Sequence, residues 1–262
     1  MKVQFLGSGS AFVLGKENYQ SNILIENDGK YLLYDAGTTL PDSLNAVNLK
    51  PQDLDTIYIS HLHADHAGGI EYIAFKTYFE QFPFGVNKIN LIGYHRILNE
   101  GWENTWKGGL QSIQGKVNTL ETYFDTKYLK DNDTFDFYGV TMKPVQTIHV
   151  VDNRQHVPSY GMMFDTPNGN TVFISGDTQF APNQMLTYFE QSDVIFHDCE
   201  FAEYPNSVHA QFHQLCTLDE DIKSRMYLYH YSLGTKTYEE LNDEVLKNGF
   251  AGLVKRGHTF NI

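Results

Sequence analysis

Residues 59–69 read Ile-Ser-His-Leu-His-Ala-Asp-His-Ala-Gly-Gly. His61, His63, Asp65 and His66 thus crowd three imidazoles and a carboxylate into one short stretch. Imidazole nitrogens suit zinc, and a carboxylate serves a second zinc position. Alternate residues of an extended segment point the same way, so His61 and His63 are placed to share one metal. Asp65 and His66, where the chain turns, are placed to serve a second. Gly68 and Gly69 let the backbone turn into the next helix without Cβ clashes. A surface run of histidines is the bland alternative, but four ligand-type residues in this spacing, entered from a strand, favour metal.

Two metals need more ligands, and the ends of later strands supply candidates. His149 ends the run Thr141-Met142-Lys143-Pro144-Val145-Gln146-Thr147-Ile148, Asp177 follows Val172-Phe173-Ile174-Ser175-Gly176, and His230 follows Met226-Tyr227-Leu228-Tyr229. Each sits just past an apolar strand, where ligands from several strands gather at one sheet edge.

The elements that must hold these side chains are short and β-rich. Strands are expected at Val3–Leu6, Ser21–Glu26, Tyr31–Tyr34 and Thr56–Ser60, with Asn27-Asp28-Gly29 as a turn. Residues 88–93 follow, then a hairpin over Asp133–His149 turning at Gly139, and strands at Gly161–Asp165 and Thr171–Ser175. Val194–Phe196 and Met226–Tyr229 are nearly all apolar, as buried strands are. The spacing after Gly69 predicts a helix from Ile70, and Thr237–Lys247 reads as a helix with Gly249 just past its end. Two batches of strands separated by helices suggest two β layers with helices outside, and the order of elements is similar in the two halves.

Bulk properties narrow the partners. The chain has 262 residues, 41% of them hydrophobic, enough for one sizeable core. No apolar run approaches the ~20 residues of a membrane helix, and the first residues read as a strand, not a signal peptide. The two cysteines, Cys199 and Cys216, make no disulfide framework, so a cytoplasmic protein is expected. A net charge of -13 disfavours a long nucleic-acid partner, which calls for a basic face.

His-x-His-x-Asp-His, a later histidine, Gly176-Asp177-Thr178 and a last histidine resemble the metallo-β-lactamase fold superfamily over nearly the whole chain. Phe5-Leu6-Gly7-Ser8-Gly9-Ser10 and Tyr34-Asp35-Ala36-Gly37 are similar to that family's opening strands. The resemblance implies an α/β fold, a four-layer αββα sandwich, formed by residues 1–262 as a single domain. It implies two zinc ions, with manganese served by the same ligand types. His61, His63 and His149 would hold one ion, Asp65, His66 and His230 the other, and Asp177 would bridge them. Asp35 would orient a ligand. His156 competes with His149, because the family histidine stands only a few residues before a Tyr-Gly pair and His156 is closer to Tyr160-Gly161. His149 is preferred because it ends a strand, with the residues between as a loop insertion.

Phe196-His197-Asp198-Cys199-Glu200-Phe201 resembles the His-Glu-Ala-Thr-Phe segment of tRNase Z-like phosphodiesterases. By that resemblance His197 assists the leaving group and Asp65 orients the attacking water, while the zinc pair supplies hydroxide near neutral pH. A core histidine at a strand end is the alternative for His197. The interval from His149 to Asp177 already holds a hairpin and leaves no room for the arm with which bacterial tRNase Z enzymes grip tRNA. The pattern is most similar to small homodimeric cyclic-nucleotide phosphodiesterases of the anti-Pycsar type. These open cyclic mononucleotides, pyrimidine ones included, and so silence nucleotide-triggered antiviral defence; for a phage-encoded member the site of action is the host cytoplasm. Residues 76–130 read as an aromatic-rich insertion holding Tyr78, Phe79, Phe82, Phe84, Tyr94, Trp102, Trp106, Tyr123, Phe124 and Tyr128, either stacking on a base or, for most of them, packing the insertion or a dimer interface. Glu71 is a candidate substrate-binding residue, or only a helix N-terminal acid. The competing functions are an RNA 3′-processing nuclease, a nucleotide-sequestering protein, and a lactone or thioester hydrolase of the same fold.

Overall fold

The computed structural model describes residues 1–13, 17–81, 88–153, 155–205 and 207–262. Its strands are β1 (Lys2–Phe5), β2 (Ile23–Asn27), β3 (Lys30–Tyr34), β4 (Thr56–Ile59), β5 (Ile89–Tyr94), β6 (Ser112–Ile113), β7 (Lys116–Val117), β8 (Phe124–Leu129), β9 (Phe135–Phe137), β10 (Val140–Val151), β11 (His156–Asp165), β12 (Thr171–Ile174), β13 (Val194–Asp198), β14 (Met226–Tyr229), β15 (Gly252–Leu253) and β16 (Thr259–Asn261). One sheet has the order β16-β1-β2-β3-β4-β5-β8 and the other β15-β14-β13-β12-β11-β10-β9, with β6-β7 a small separate hairpin. Each large sheet passes from antiparallel pairs into a parallel run. The run is β3-β4-β5-β8 in the first sheet and β12-β13-β14-β15 in the second. This is the similarity of the two halves that the order of elements suggested.

The sheets face each other across aromatic side chains. The Phe5 ring lies 5.0 Å from Phe196 and 5.3 Å from Tyr229. The Tyr34 and Tyr58 hydroxyls both donate to the Tyr160 carbonyl, at 2.9 and 3.3 Å. A single buried cluster takes in Val3, Ile57 and Leu91 of the first sheet with Met142, Met162 and Ile174 of the second. On the far side of the second sheet, Phe173, Ile195 and Leu228 pack against Met185 and Phe189 of the helix Pro182–Gln191 and Leu241 and Val245 of the helix Tyr238–Lys247. Each such side chain contributes roughly 1.5–3 kcal/mol on burial. Helices α1 (Leu40–Ala46) and α3 (Ile70–Gln81) cover the first sheet through Leu40, Leu44, Ile70 and Ile73. The result is the expected four-layer αββα sandwich.

Local chemistry sets the element ends. Thr237 caps the last helix: its hydroxyl accepts from the Glu240 amide at 3.2 Å, and the Glu240 carboxylate accepts from the Thr237 amide at 2.8 Å. Gly249, at φ 87°, ends that helix. Tyr138 and Gly139, at φ 47° and 86°, turn the β9-β10 hairpin.

Residues 76–130 differ from the expected insertion. They include β5 and β8, the last two strands of the first sheet, whose Leu91, Phe124 and Leu129 are core. Most of the described aromatic rings pack: Tyr94 stacks on Tyr160 at 3.7 Å, Tyr123 meets Tyr78 at 5.4 Å, and Trp106 is buried. Phe82 and Phe84 lie outside the described residues. No helix among the described residues is long and apolar enough to cross a membrane.

Candidate metal centre

The carboxyl ends of the parallel strands converge, the place where open α/β sheets assemble their sites. Asp35 follows β3, His61 follows β4, Asp177 follows β12, Asp198 ends β13 and His230 follows β14. His63 precedes helix α2 (Ala64–Ala67), which carries Asp65 and His66. Three groups of side chains each have donor atoms within 4.8 Å of one another: His61, His63, His149 and Asp177; Asp65, His66, Asp177 and His230; and Asp177, Asp198, His209 and His230.

Glycines permit this convergence by close approach. A Cβ on Gly37 would strike the Asp65 carbonyl, and one on Gly69 would lie 2.6 Å from the Gly37 carbonyl. The Asp35-Ala36-Gly37 loop therefore lies directly against α2, and the Ala36 amide donates to the His66 carbonyl at 2.7 Å. Gly68 and Gly69 serve this contact as well as the turn.

Asp35 organises the ligands. It sits at φ 65° and accepts from the Ser60 amide at 2.8 Å, the Ser60 hydroxyl at 2.7 Å and His66 Nδ1 at 2.8 Å. His61 Nδ1 donates to the same Ser60 hydroxyl, at 3.0 Å. Both rings therefore carry their proton on Nδ1 and turn Nε2 inward. These two buried nitrogens and both Asp177 oxygens have no hydrogen-bond partner. Asp177 Oδ2 lies 3.2 Å from His66 Nε2, 3.5 Å from His230 Nε2, 3.7 Å from His149 Nε2 and 3.8 Å from His61 Nε2. Buried nitrogens converging on one carboxylate fit a shared cation, because only a metal ion or a proton between them compensates the hydration they have lost.

His149 reaches the cluster by a route other than the expected strand end. Strand β10 continues past it, and its pairing with β11 shifts register between Thr147 and Val150. That irregularity re-aims the side chain: Nδ1 donates to the Val208 carbonyl at 2.9 Å, and Nε2 faces His63 Nδ1 at 3.1 Å. The expected loop insertion is an extension of the β10-β11 hairpin. His156, at the start of β11, instead sets its Nδ1 3.3 Å from Gln146 Nε2, outside all three groups.

Two placements differ from expectation. His197 is buried on the face of β13 that packs on the helical layer. Its ring lies 5.5 Å from Phe189, and Nδ1 donates to the Asp198 carbonyl at 2.7 Å. Alternation along the strand puts Ile195 and His197 outward and Phe196 and Asp198 toward the site. The structure thus keeps His197 out of the cluster and brings in its neighbour. Asp198 accepts from His209 Nδ1 at 2.8 Å and lies 3.3 Å from His230 Nδ1. His209 escaped the sequence reading because no strand periodicity surrounds it. Its loop is pinned by the neighbouring Ala210, whose amide donates to Thr178 and whose carbonyl accepts from Glu200. Glu71 is exposed and borders a groove with Tyr72, Phe75 and Phe79, its carboxylate against Gly109, away from the metal-ligating groups.

The charges explain how four carboxylates coexist here. Burial opposes charge on His66, yet Asp177, Asp65 and Asp35 hold its pKa well above the ordinary value. Burial likewise opposes charge on His230, but Asp177, Asp198 and Asp65 raise it to about 10. Burial pushes His61 well down and His149 down to about 4. Without metal, protons on His66 and His230 supply the positive charge that divalent ions would bring, so ion uptake releases protons.

A family model described as "Anti-Pycsar protein Apyc1" matches residues 1–260. A curated relative of that name from Paenibacillus harenae is 35% identical over 88% of this chain and 90% of its own length. Another, from Bacillus phage 010DV004, is 31% identical over 99% of this chain and 98% of its own. Among solved structures, the metallo-beta-lactamase fold protein YhfI from Bacillus subtilis superposes with a TM-score of 0.76 over 99% of this chain and 98% of its own, at 18% identity.

Proposed function

The chain belongs to the Anti-Pycsar Apyc1 family, and from that premise we propose that it is a metal-dependent phosphodiesterase that opens cyclic mononucleotides to nucleoside monophosphates. One observation carries the reading: two ligand groups, buried except for His63, share Asp177, and a half-buried His209 paired with Asp198 stands beside them. A phosphodiester needs cations on its oxygens, an attacking water and a proton for the departing oxygen; the groups present match that list.

His61, His63 and His149 would hold one divalent ion, Asp65, His66 and His230 a second, with Asp177 between them; zinc suits this set of imidazoles and carboxylates. Bound there, the ions supply water activation and neutralise phosphate charge. Asp65 accepts the proton of the attacking water. Asp198 fixes His209 by its Nδ1 and, against the opposing effect of burial, raises its pKa, so that Nε2 carries a proton for the departing ribose oxygen. This is the part first read onto His197. The same reading takes the chain as a cytoplasmic homodimer acting on a small nucleotide.

The test is a hydrolysis panel with zinc-loaded protein and its His63→Ala variant. It contains 3′,5′-cyclic AMP, GMP, CMP and UMP, a 2′,3′-cyclic nucleotide, a tRNA precursor, a lactone and a thioester. Opening of the 3′,5′-cyclic nucleotides, lost in His63→Ala, supports the proposal. Cleavage of the precursor alone, or of the lactone or thioester alone, refutes it.

A further inference from the structure

A cavity of about 380 Å³ adjoins the metal groups, within the range that takes a small ligand. His209 belongs both to its lining and to the cluster with Asp177, Asp198 and His230. A molecule in the cavity therefore has one end at the reacting centre. Phe12 and Tyr204, far apart in sequence, also line it. They are 93% and 59% exposed, although the interior has room for most of the other aromatic rings.

The chain is anchored close to each. The Ser10 amide donates to the Tyr231 carbonyl at 3.2 Å, and the Ser10 hydroxyl meets that of Ser232 at 2.6 Å. Gln211 Nε2 donates to the Tyr204 carbonyl at 2.6 Å, and the Glu200 carboxylate accepts from the Ala202 amide at 2.8 Å. The rings are exposed close to these anchored points, an arrangement that favours a flat ligand because less ordering remains when it binds.

Charge decides which end of a nucleotide lies here. Among the described residues, the lining holds one carboxylate, Glu200, and no lysine or arginine. Among the described lining residues a phosphate would be repelled by Glu200 and meet no cation apart from His209 at the inner end. A neutral planar base meets no such obstacle, and aromatic rings bind any base by its face.

We propose that this cavity is the nucleobase subsite, with Phe12 and Tyr204 covering the base while the cyclic phosphate reaches the metals past His209. The assignment rests on the phosphodiesterase reading given above. It moves the base-stacking function from the aromatic residues of 76–130 to Phe12 and Tyr204, outside that region.

The experiment compares Phe12→Ala and Tyr204→Ala with wild type and with the conservative Phe12→Tyr and Tyr204→Phe. Substrates are 3′,5′-cyclic AMP and a base-free methyl riboside 3′,5′-cyclic phosphate. Each alanine raises KM for cyclic AMP about tenfold, as loss of one stacking ring does. It leaves kcat and the kcat/KM of the base-free substrate within about twofold, the pattern of lost ground-state binding. The conservative variants stay close to wild type. An unchanged KM in both alanine variants overturns the subsite while leaving the phosphodiesterase reading intact, and so does an equal loss on the base-free substrate. A zinc-loaded wild type that opens no cyclic nucleotide removes both.

Discussion

Replacing Asp35 by Asn tests how the ligands are held. Asn tolerates the left-handed backbone at φ 65° better than most side chains, so the exchange alters chemistry with little strain. The carboxylate accepts three hydrogen bonds, two from Ser60 and one from His66 Nδ1, at 2.7–2.8 Å. An amide has one accepting oxygen. If that oxygen faces the Ser60 amide, the new NH2 confronts the Nδ1 proton of His66. The proton then moves to Nε2, and the lone pair meant for a cation is lost. If the oxygen faces His66, the NH2 confronts the Ser60 amide, and a buried donor goes unpaired. Either way at least one hydrogen bond to a buried charge disappears, about 1.5–3 kcal/mol. Exchanges of this kind lower metal affinity about 10- to 100-fold, or roughly 1.4–2.7 kcal/mol. Competition with a chromophoric zinc chelator reads the affinity, and circular dichroism checks the fold. A folded Asp35→Asn protein that binds zinc within about twofold of wild type would refute the argument that Asp35 sets the His66 tautomer.

His209→Gln lowers kcat for cyclic-nucleotide opening by about 100-fold or more without loss of bound zinc, whereas His197→Leu keeps turnover within about tenfold, because of these two histidines His209 alone lies among the ligand groups; a larger loss in His197→Leu reverses the assignment. Trp106 Nε1 donates to the Ala67 carbonyl at 3.1 Å, tying α2 to the segment after β5, so Trp106→Phe costs about 1–3 kcal/mol in urea unfolding by orphaning that carbonyl. Gly37→Ala destabilises by at least about 1–3 kcal/mol because its Cβ has nowhere to go. Gly108→Ala, with nothing within 4 Å of its Cβ, is neutral or stabilises by up to about 1 kcal/mol in the same assay. Chelation lowers Tm and restoring zinc reverses it, since ions bound only to the folded chain stabilise it by mass action; an unchanged Tm argues that the ligand groups hold no ion.

What the sequence by itself determined is local. His61, His63, Asp65 and His66 share one strand end and one turn, so their types and spacing foretell their proximity. Asp177 and His230 follow short apolar strands, and parallel strands of a two-layer sandwich end on one side. The periodicity that revealed those strands therefore also aligned the ligands. Only tertiary structure decided which face of each strand the site occupies. His197 and Asp198 are neighbours, and choosing between them required knowing that Phe189 packs on one face of β13. His149 depended on a register shift between two strands, which exists only once they pair. His209 lies in a loop with no period to read, and Asp198, the Val208 carbonyl and the anchored Ala210 define its place. Residues 88–93 read as a strand, but that β5 pairs with β4 and β8 in turn with β5, so that 76–130 builds the sheet edge, followed only from the pairing of separate elements. Phe12 and Tyr204 line one cavity for the same reason: spacing along a chain reports neighbours within an element, while the placing of separate elements follows from which surfaces bury each other.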